Sequence, residues 1–230
     1  MPSVSKSYLL IYNVLQSVGW AVAFFQVIAG IKQAGSLTGA YATAGETVGF
    51  FQFLAVLEIL HAAIGIVGGS PVTSLMQWGG RSNVLFAVVK SVPEVQATPA
   101  VGAMLLVWAL SEVVRYPWYA AVTAGVCPQW LTWLRYTAFI ALYPVGVVGE
   151  MHAVYLALPY IGARKLHSVT LPNSLNFAFD YRVFMIGVLY VYPILWWQLY
   201  SMLLRQRKKK IGGAESAGGR TSGVSYKKRE

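Results

Sequence analysis

Tyr143 and Glu150 lie seven residues apart in a run that is otherwise mostly apolar, Arg135 to Glu150 (RYTAFIALYPVGVVGE). A carboxylate set among Phe, Ile, Leu and Val in a bilayer costs about 2.5–3.5 kcal/mol even on lenient insertion scales, so an intramembrane acid marks a functional site by default. A desolvated carboxylate is a strong base, and a phenol can hand a proton to a leaving group. Removal of the proton alpha to a thioester carbonyl, with loss of a beta hydroxyl, needs one such group at each of two adjacent carbons. Elimination of water therefore suits the pair, although these residues by themselves speak for proton handling more firmly than for that one reaction.

Positioning such a pair is the task of a helix. At about 100° per residue, positions 136, 143 and 150 drift by only about 20° per step of seven, and 135 falls within about 80° of the same line. One unbroken helix over Trp130 to Leu158 would thus gather Arg135, Tyr136, Tyr143 and Glu150 on one side, with about 10.5 Å of rise between Tyr143 and Glu150. Pro144 removes a helical hydrogen bond and restricts Tyr143, which bends that helix. Gly146 and Gly149 leave room for a neighbouring helix or an acyl chain. Other polar groups in or beside apolar runs are Glu58 with His61, Gln77 with Arg81, Glu112 with Arg115, and His152. Glu112 and Arg115, at i and i+3, are expected to pair structurally; Glu58 and His61 share that spacing and either bond each other or orient a residue elsewhere.

With 57% hydrophobic and 11% charged residues over 230 positions, and a mean hydropathy of +0.55, the composition excludes an ordinary soluble domain. It predicts an all-α polytopic membrane protein. On a ruler of about 20 apolar residues per span, six segments are expected: Tyr8–Ile31, Val48–Val67, Pro71–Val92, Thr98–Val122, Trp130–Leu158 and Val183–Leu204. The third is the weakest, because Gly79, Gly80 and Arg81 interrupt it; a broken or re-entrant helix would need cover from protein or a water-filled cavity. Residues 35–45 and 170–176 are expected to be loops. No signal peptide is expected to be cleaved from the first span.

After Leu204 the chain carries nine Lys and Arg against Glu215 and Glu230, which is +7 of the formal net charge of +10. That division suggests a transmembrane domain over 1–204 and a basic, disordered tail over 205–230. Basic flanks face the cytosol, so the C-terminus, and with six spans the N-terminus, is expected there. Lys227 and Lys228 resemble a dilysine retrieval signal. Nucleic acid is not an expected partner, because the body is nearly neutral and carries no groove-reading motif. The single cysteine, Cys127, excludes an internal disulfide or a multi-cysteine metal site.

The runs YPVGVVGE (143–150), WLRYT (133–137), LEILHAAIGIV (57–67), WALSEVVRYPWY (108–119) and the Gln77–Arg81 segment are together similar to the very-long-chain 3-hydroxyacyl-CoA dehydratases. This is the protein tyrosine phosphatase-like family, and the likeness, over about residues 8–204, is to its PASTICCINO-type plant members above all. The resemblance implies that Tyr143 and Glu150 are the catalytic pair, and carries over Glu58, Gln77, Arg81, Arg135 and Gly146 as supporting or substrate-binding positions. It further implies a hydro-lyase of the endoplasmic reticulum membrane that converts a (3R)-3-hydroxyacyl-CoA to the trans-2-enoyl-CoA, the third step of fatty acid elongation. Membrane lipid and the condensing enzyme, ketoacyl reductase and enoyl reductase of that cycle are its implied partners, and neither a metal nor a redox cofactor is required. A catalytically inactive scaffold that binds partner proteins is the alternative. A cysteine phosphatase needs an Arg six positions after its nucleophile, where this chain has Trp133. A transporter with Glu150 as proton relay would show inverted repeats, and the sequence has none.

Overall fold

The computed structural model describes residues 4–174 and 176–212. Nine α-helices are named in chain order: α1 (Val4–Ala34), α2 (Ala40–Leu54), α3 (Leu57–Ala63), α4 (Pro71–Ser82), α5 (Pro93–Gln96), α6 (Pro99–Ala124), α7 (Gln129–Arg135), α8 (Phe139–Arg164) and α9 (Tyr181–Arg207). A π-helix, Asn83–Val89, continues α4. Among the described residues the extended structure amounts to one isolated bridge, Val169 with Phe179. The protein is all-α, and among the described residues five helical stretches are long and apolar enough to cross a membrane: Val4–Ala34, Leu37–Ala63, Pro99–Ala124, Gln129–Arg164 and Tyr181–Ile211.

Helix α6 is the central column and packs against α1, α2 and α8. Its ends follow from local chemistry. Thr98 accepts the Val101 N–H in its side chain, Pro99 fills the first helical position, and Gly125 closes the helix at φ 79°, a left-handed value that glycine adopts without strain. Asp180 caps α9 in the same way, its Oδ1 accepting the Val183 N–H at 3.1 Å. Helix α9 packs chiefly against α8 and turns Tyr190, Val191, Ile194 and Trp197 outward, as a lipid-facing helix would.

Four sequence expectations change. The third span, Pro71–Val92, is not among the five apolar helices. It is helical from Pro71 to Val89, but its first half is largely exposed and Arg81 and Asn83 lower its hydropathy. The π segment buries Val84, Leu85, Val88 and Val89. Residues 35–45 are mostly helical, not loop, and Gly39 serves close packing instead of a turn: a Cβ on it would meet the Gly30 carbonyl oxygen at 2.2 Å. The Trp130–Leu158 span is broken at 136–138, where the Thr137, Ile140 and Ala141 amides reach back three residues to Leu134, Thr137 and Ala138, a local tightening of the helix. Helix α9 passes its expected end at Leu204 and runs through Arg207 into a π turn ending at Gly212. The remainder of the expected tail, with Lys227 and Lys228, lies outside the described residues.

Contacts between elements order the ends of the bundle. Tyr8 of α1 meets His61 of α3, Arg115 of α6 meets Glu58 of α3, Trp118 of α6 meets Thr132 of α7, and Tyr200 of α9 meets Ile140 of α8. The start of α1 and the basic end of α9 therefore share one end, while the Lys90–Glu46 and Arg164–Glu94 pairs mark the other. At that far end the Arg164 guanidinium holds the exposed Glu94 carboxyl below the usual carboxylate range.

Close approach of α8 to α6 rests on two small residues. A Cβ on Gly149 would stand 3.1 Å from the Ala100 carbonyl oxygen and 3.2 Å from the Met104 nitrogen, and one on Gly146 would touch Val107 at 3.4 Å. Gly149→Val is accordingly expected to push the helices apart and destabilise the fold by about 1–3 kcal/mol. A thermal melt in detergent at least as high as that of the wild type would contradict this.

Candidate active site

Because Gly146 and Gly149 press α8 onto α6, Glu150, next in line, points into the bundle and is only 6% exposed. Both of its oxygens are held. The Trp108 indole N–H of α6 donates to Oε1 at 2.7 Å, and the Tyr192 hydroxyl of α9 donates to Oε2. Donors on both oxygens fix the orientation of the carboxyl group between α6 and α9.

Tyr143 stands two turns earlier on α8. Its ring meets those of Trp196 and Tyr200 of α9, each with centroids 6.2 Å away, and it lies within electrostatic range of Glu150 and Arg81. Pro144 lacks the amide that would bond the Ile140 carbonyl; the Tyr200 hydroxyl supplies the missing donor at 3.2 Å. The proline thus ties the Tyr143 turn to α9. Among the described residues the Tyr143 hydroxyl has no hydrogen-bond partner.

Arg81 lies over the ring of Trp108, whose indole N–H holds the carboxylate. Its guanidinium carbon sits 4.2 Å from the Trp108 ring centroid and 5.8 Å from that of Trp20, and Nη1 donates to Glu112 Oε1. Nε and Nη2 are buried without a partner. Trp20 Nε1 and Gln16 Oε1, one turn apart on α1, are unmet as well. Unsatisfied buried polar atoms are rare in folded proteins and ask for an explanation; a polar guest beside Trp108 would satisfy these.

From Arg81 a chain of alternating charge runs toward the α3 end. Glu112, 2% exposed, also accepts from Arg115 Nε. The Arg115 fork donates to both Glu58 oxygens at 3.1 and 3.2 Å, and the Tyr116 hydroxyl donates to Glu58 at 2.5 Å. Glu112 and Arg115 pair as their spacing suggests, within a larger network. Glu58 therefore belongs to Arg115 and Tyr116, while His61 bonds Tyr8 across 2.9 Å.

The structure gathers Tyr143, Glu150 and Arg81, with Glu58 reaching them through Arg115 and Glu112. It does not gather the rest. The break at 136–138 takes Arg135 and Tyr136 off the face of α8: Arg135 ends α7 with a buried, unpartnered Nε, and Tyr136 stacks edge-on against Trp118. Gln77 and His152 are exposed. Gly146 acts at the α6 contact. Two open clefts lie elsewhere, one of about 470 Å³ where α8 turns toward α9 and one of about 350 Å³ beside Tyr8 and His61. Among the described residues no three His, Cys, Asp or Glu side chains converge as a metal group would.

Trp108 and Tyr192 are the partners that sequence reasoning missed. A signal existed: the dipeptide Tyr-Pro occurs at 116–117, 143–144 and 192–193, always inside a helix, and all three tyrosines belong to this site or its charge chain.

The protein tyrosine phosphatase-like protein family (PTPLA) has a model that matches residues 52–213. The very-long-chain (3R)-3-hydroxyacyl-CoA dehydratase 2 of Mus musculus is 39% identical over 212 residues, 92% of this chain and 84% of the mouse protein. The chain belongs to the protein tyrosine phosphatase-like family of very-long-chain 3-hydroxyacyl-CoA dehydratases. The Homo sapiens dehydratase 2 is 38% identical over the same shares, and the Arabidopsis thaliana dehydratase PASTICCINO 2 is 35% identical over 90% of this chain and 94% of its own length. Likeness to this dehydratase family is thus spread across animal and plant members. No solved structure matches the chain.

Proposed function

We propose that the protein is a very-long-chain (3R)-3-hydroxyacyl-CoA dehydratase in which Glu150 removes the alpha proton and Tyr143 protonates the departing beta hydroxyl, leaving the trans-2-enoyl-CoA and water. The observation that carries this reading is the inward Glu150, whose two oxygens accept from Trp108 and Tyr192, and, seven residues away on the same helix, a phenol that lacks a hydrogen bond among the described residues. The two roles are exchangeable on geometry alone.

Arg81 fits the thioester oxygen. It stands at the depth of Trp108, and its unpartnered Nε and Nη2 form two adjacent donors of the kind that stabilise a developing oxyanion. Arg135 lies at the end of the bundle shared with Arg205 and Arg207, where CoA phosphates would sit. Basic residues at the close of α9 make that end cytosolic, and Pro71–Val89, buried in its second half, becomes a sixth crossing with both termini on the cytosolic side. The acyl tail lies among the helices. The transmembrane unit then ends near Leu204, and a basic tail follows. An endoplasmic reticulum membrane, and assembly with the condensing enzyme and the two reductases of elongation, follow from this place in the cycle.

The test is a dehydration assay on membranes carrying the wild type or Tyr143→Phe. Turnover of 3-hydroxyacyl-CoA by the wild type, and a loss of about 10²–10⁴-fold in the variant, is the expected result for removal of a general acid. Full turnover by Tyr143→Phe would remove Tyr143 from the mechanism; an inactive wild type would favour a binding scaffold.

A further inference from the structure

Elimination leaves the two catalytic groups in the wrong state for the next cycle. Glu150 has gained the alpha proton, and Tyr143 has lost its own to the departing hydroxyl, which leaves as water. The Cα–H and Cβ–O bonds have broken and the Cα–Cβ double bond has formed, so the substrate is balanced, but the enzyme holds a carboxylic acid at one site and a phenolate at the other. A proton must cross from Glu150 to Tyr143 before the chain can act again.

Tyr192 stands on that route. Its hydroxyl already bonds Glu150 Oε2. Helices α8 and α9 run antiparallel, since Tyr192 meets Glu150 while Tyr200 meets Ile140. The α9 stripe 192, 196, 200 therefore lies along the α8 line 150, 143, 140, with the Tyr143 ring against Trp196 and Tyr200. Tyr192 stands one helical turn before Trp196, whose ring meets that of Tyr143. A hydroxyl both donates and accepts, and can pass one proton on while receiving another.

We propose that Tyr192 is the proton relay that restores the site, accepting the proton of neutral Glu150 on its oxygen as it gives its own to the Tyr143 phenolate. The relay rests on the roles assigned to Tyr143 and Glu150 above, and runs in the opposite sense if those roles are exchanged. Trp108, a donor only, holds the other carboxylate oxygen and keeps Glu150 aimed while the Tyr192 hydroxyl turns.

Tyr192→Phe keeps the ring and deletes the hydroxyl. With enzyme in excess over 3-hydroxyacyl-CoA, the first turnover of this variant should fall by a smaller factor than its steady rate does, since Glu150 loses one donor but base and acid start correctly loaded. With substrate in excess it should show a burst of about one equivalent, then a steady rate at least about tenfold below wild type, at the lower edge of what proton-transfer groups contribute. Two results would overturn the relay: a steady rate equal to wild type, or losses of the same factor in both regimes, the mark of a residue that merely positions Glu150. The failure of the underlying site reading is separate and visible in the same membranes, as full turnover by Tyr143→Phe.

Discussion

Glu150→Gln should lower dehydration by about a thousandfold, within the range that general acid–base groups contribute, while the bundle stays folded. The amide keeps an oxygen for the Trp108 N–H, whose bond to Oε1 is 2.7 Å long, and the Tyr192 hydroxyl can turn to accept from the new NH₂. Volume and hydrogen bonding survive; basicity does not. The comparison needs kcat in membranes and a thermal melt in detergent. A melt close to wild type with turnover at the detection limit is the expected pair of results, and full turnover would end the assignment of Glu150 as a reacting group. Loss of fold together with activity would instead make Glu150 a structural anchor for Trp108 and Tyr192.

Helix type and membrane class were legible because both depend on local hydropathy, and long apolar runs leave few alternatives. The Tyr143 and Glu150 pair was legible because two polar groups at a spacing of seven stand out against Val, Leu and Ile. What failed depended on partners distant in sequence. Nothing within residues 130–140 reveals that the chain tightens at 136–138, since that break accompanies Trp118 of α6, which bonds Thr132 and packs on Tyr136. Glycine at 39 suggests a turn in sequence, yet serves the close approach of its segment to α1. Likewise, the spacing of Glu58 and His61 offers a plausible local bond, but Arg115, 57 residues away, offers a bidentate charged one, which is the stronger partner.

The same logic explains why a membrane protein tolerates so many charges at depth. Glu58, Arg115, Glu112 and Arg81 alternate in sign and sum to zero, and each acid meets at least one guanidinium. Such an arrangement offsets the desolvation of its members only while it is complete. It also orients Arg81 by one nitrogen and leaves two others unpartnered among the described residues, so the element that stabilises the fold also aims the donors proposed to meet the thioester.

Glu112→Ala should therefore have the largest effect on stability. The substitution leaves Arg81 and Arg115 buried with Glu58 as the one remaining acid of the chain, and strips Arg81 of the partner of its Nη1. Breaking a buried ion pair from one side costs about 3–5 kcal/mol, a large share of the roughly 5–15 kcal/mol by which a folded domain is stable. Lower yield in the membrane and a lower melting temperature in detergent are expected. Replacing both sides of the contact separates fold from function. In Arg81→Met with Glu112→Leu the unpaired charge between the two disappears, and such isosteric swaps are often neutral or stabilising. The double variant should recover much of the stability lost in Glu112→Ala yet remain poorly active, because the donors facing the thioester are gone. Recovery of both stability and full turnover would show that Arg81 is only a structural counter-ion, and an unchanged melt for Glu112→Ala would show that the chain of charges does not hold the bundle together.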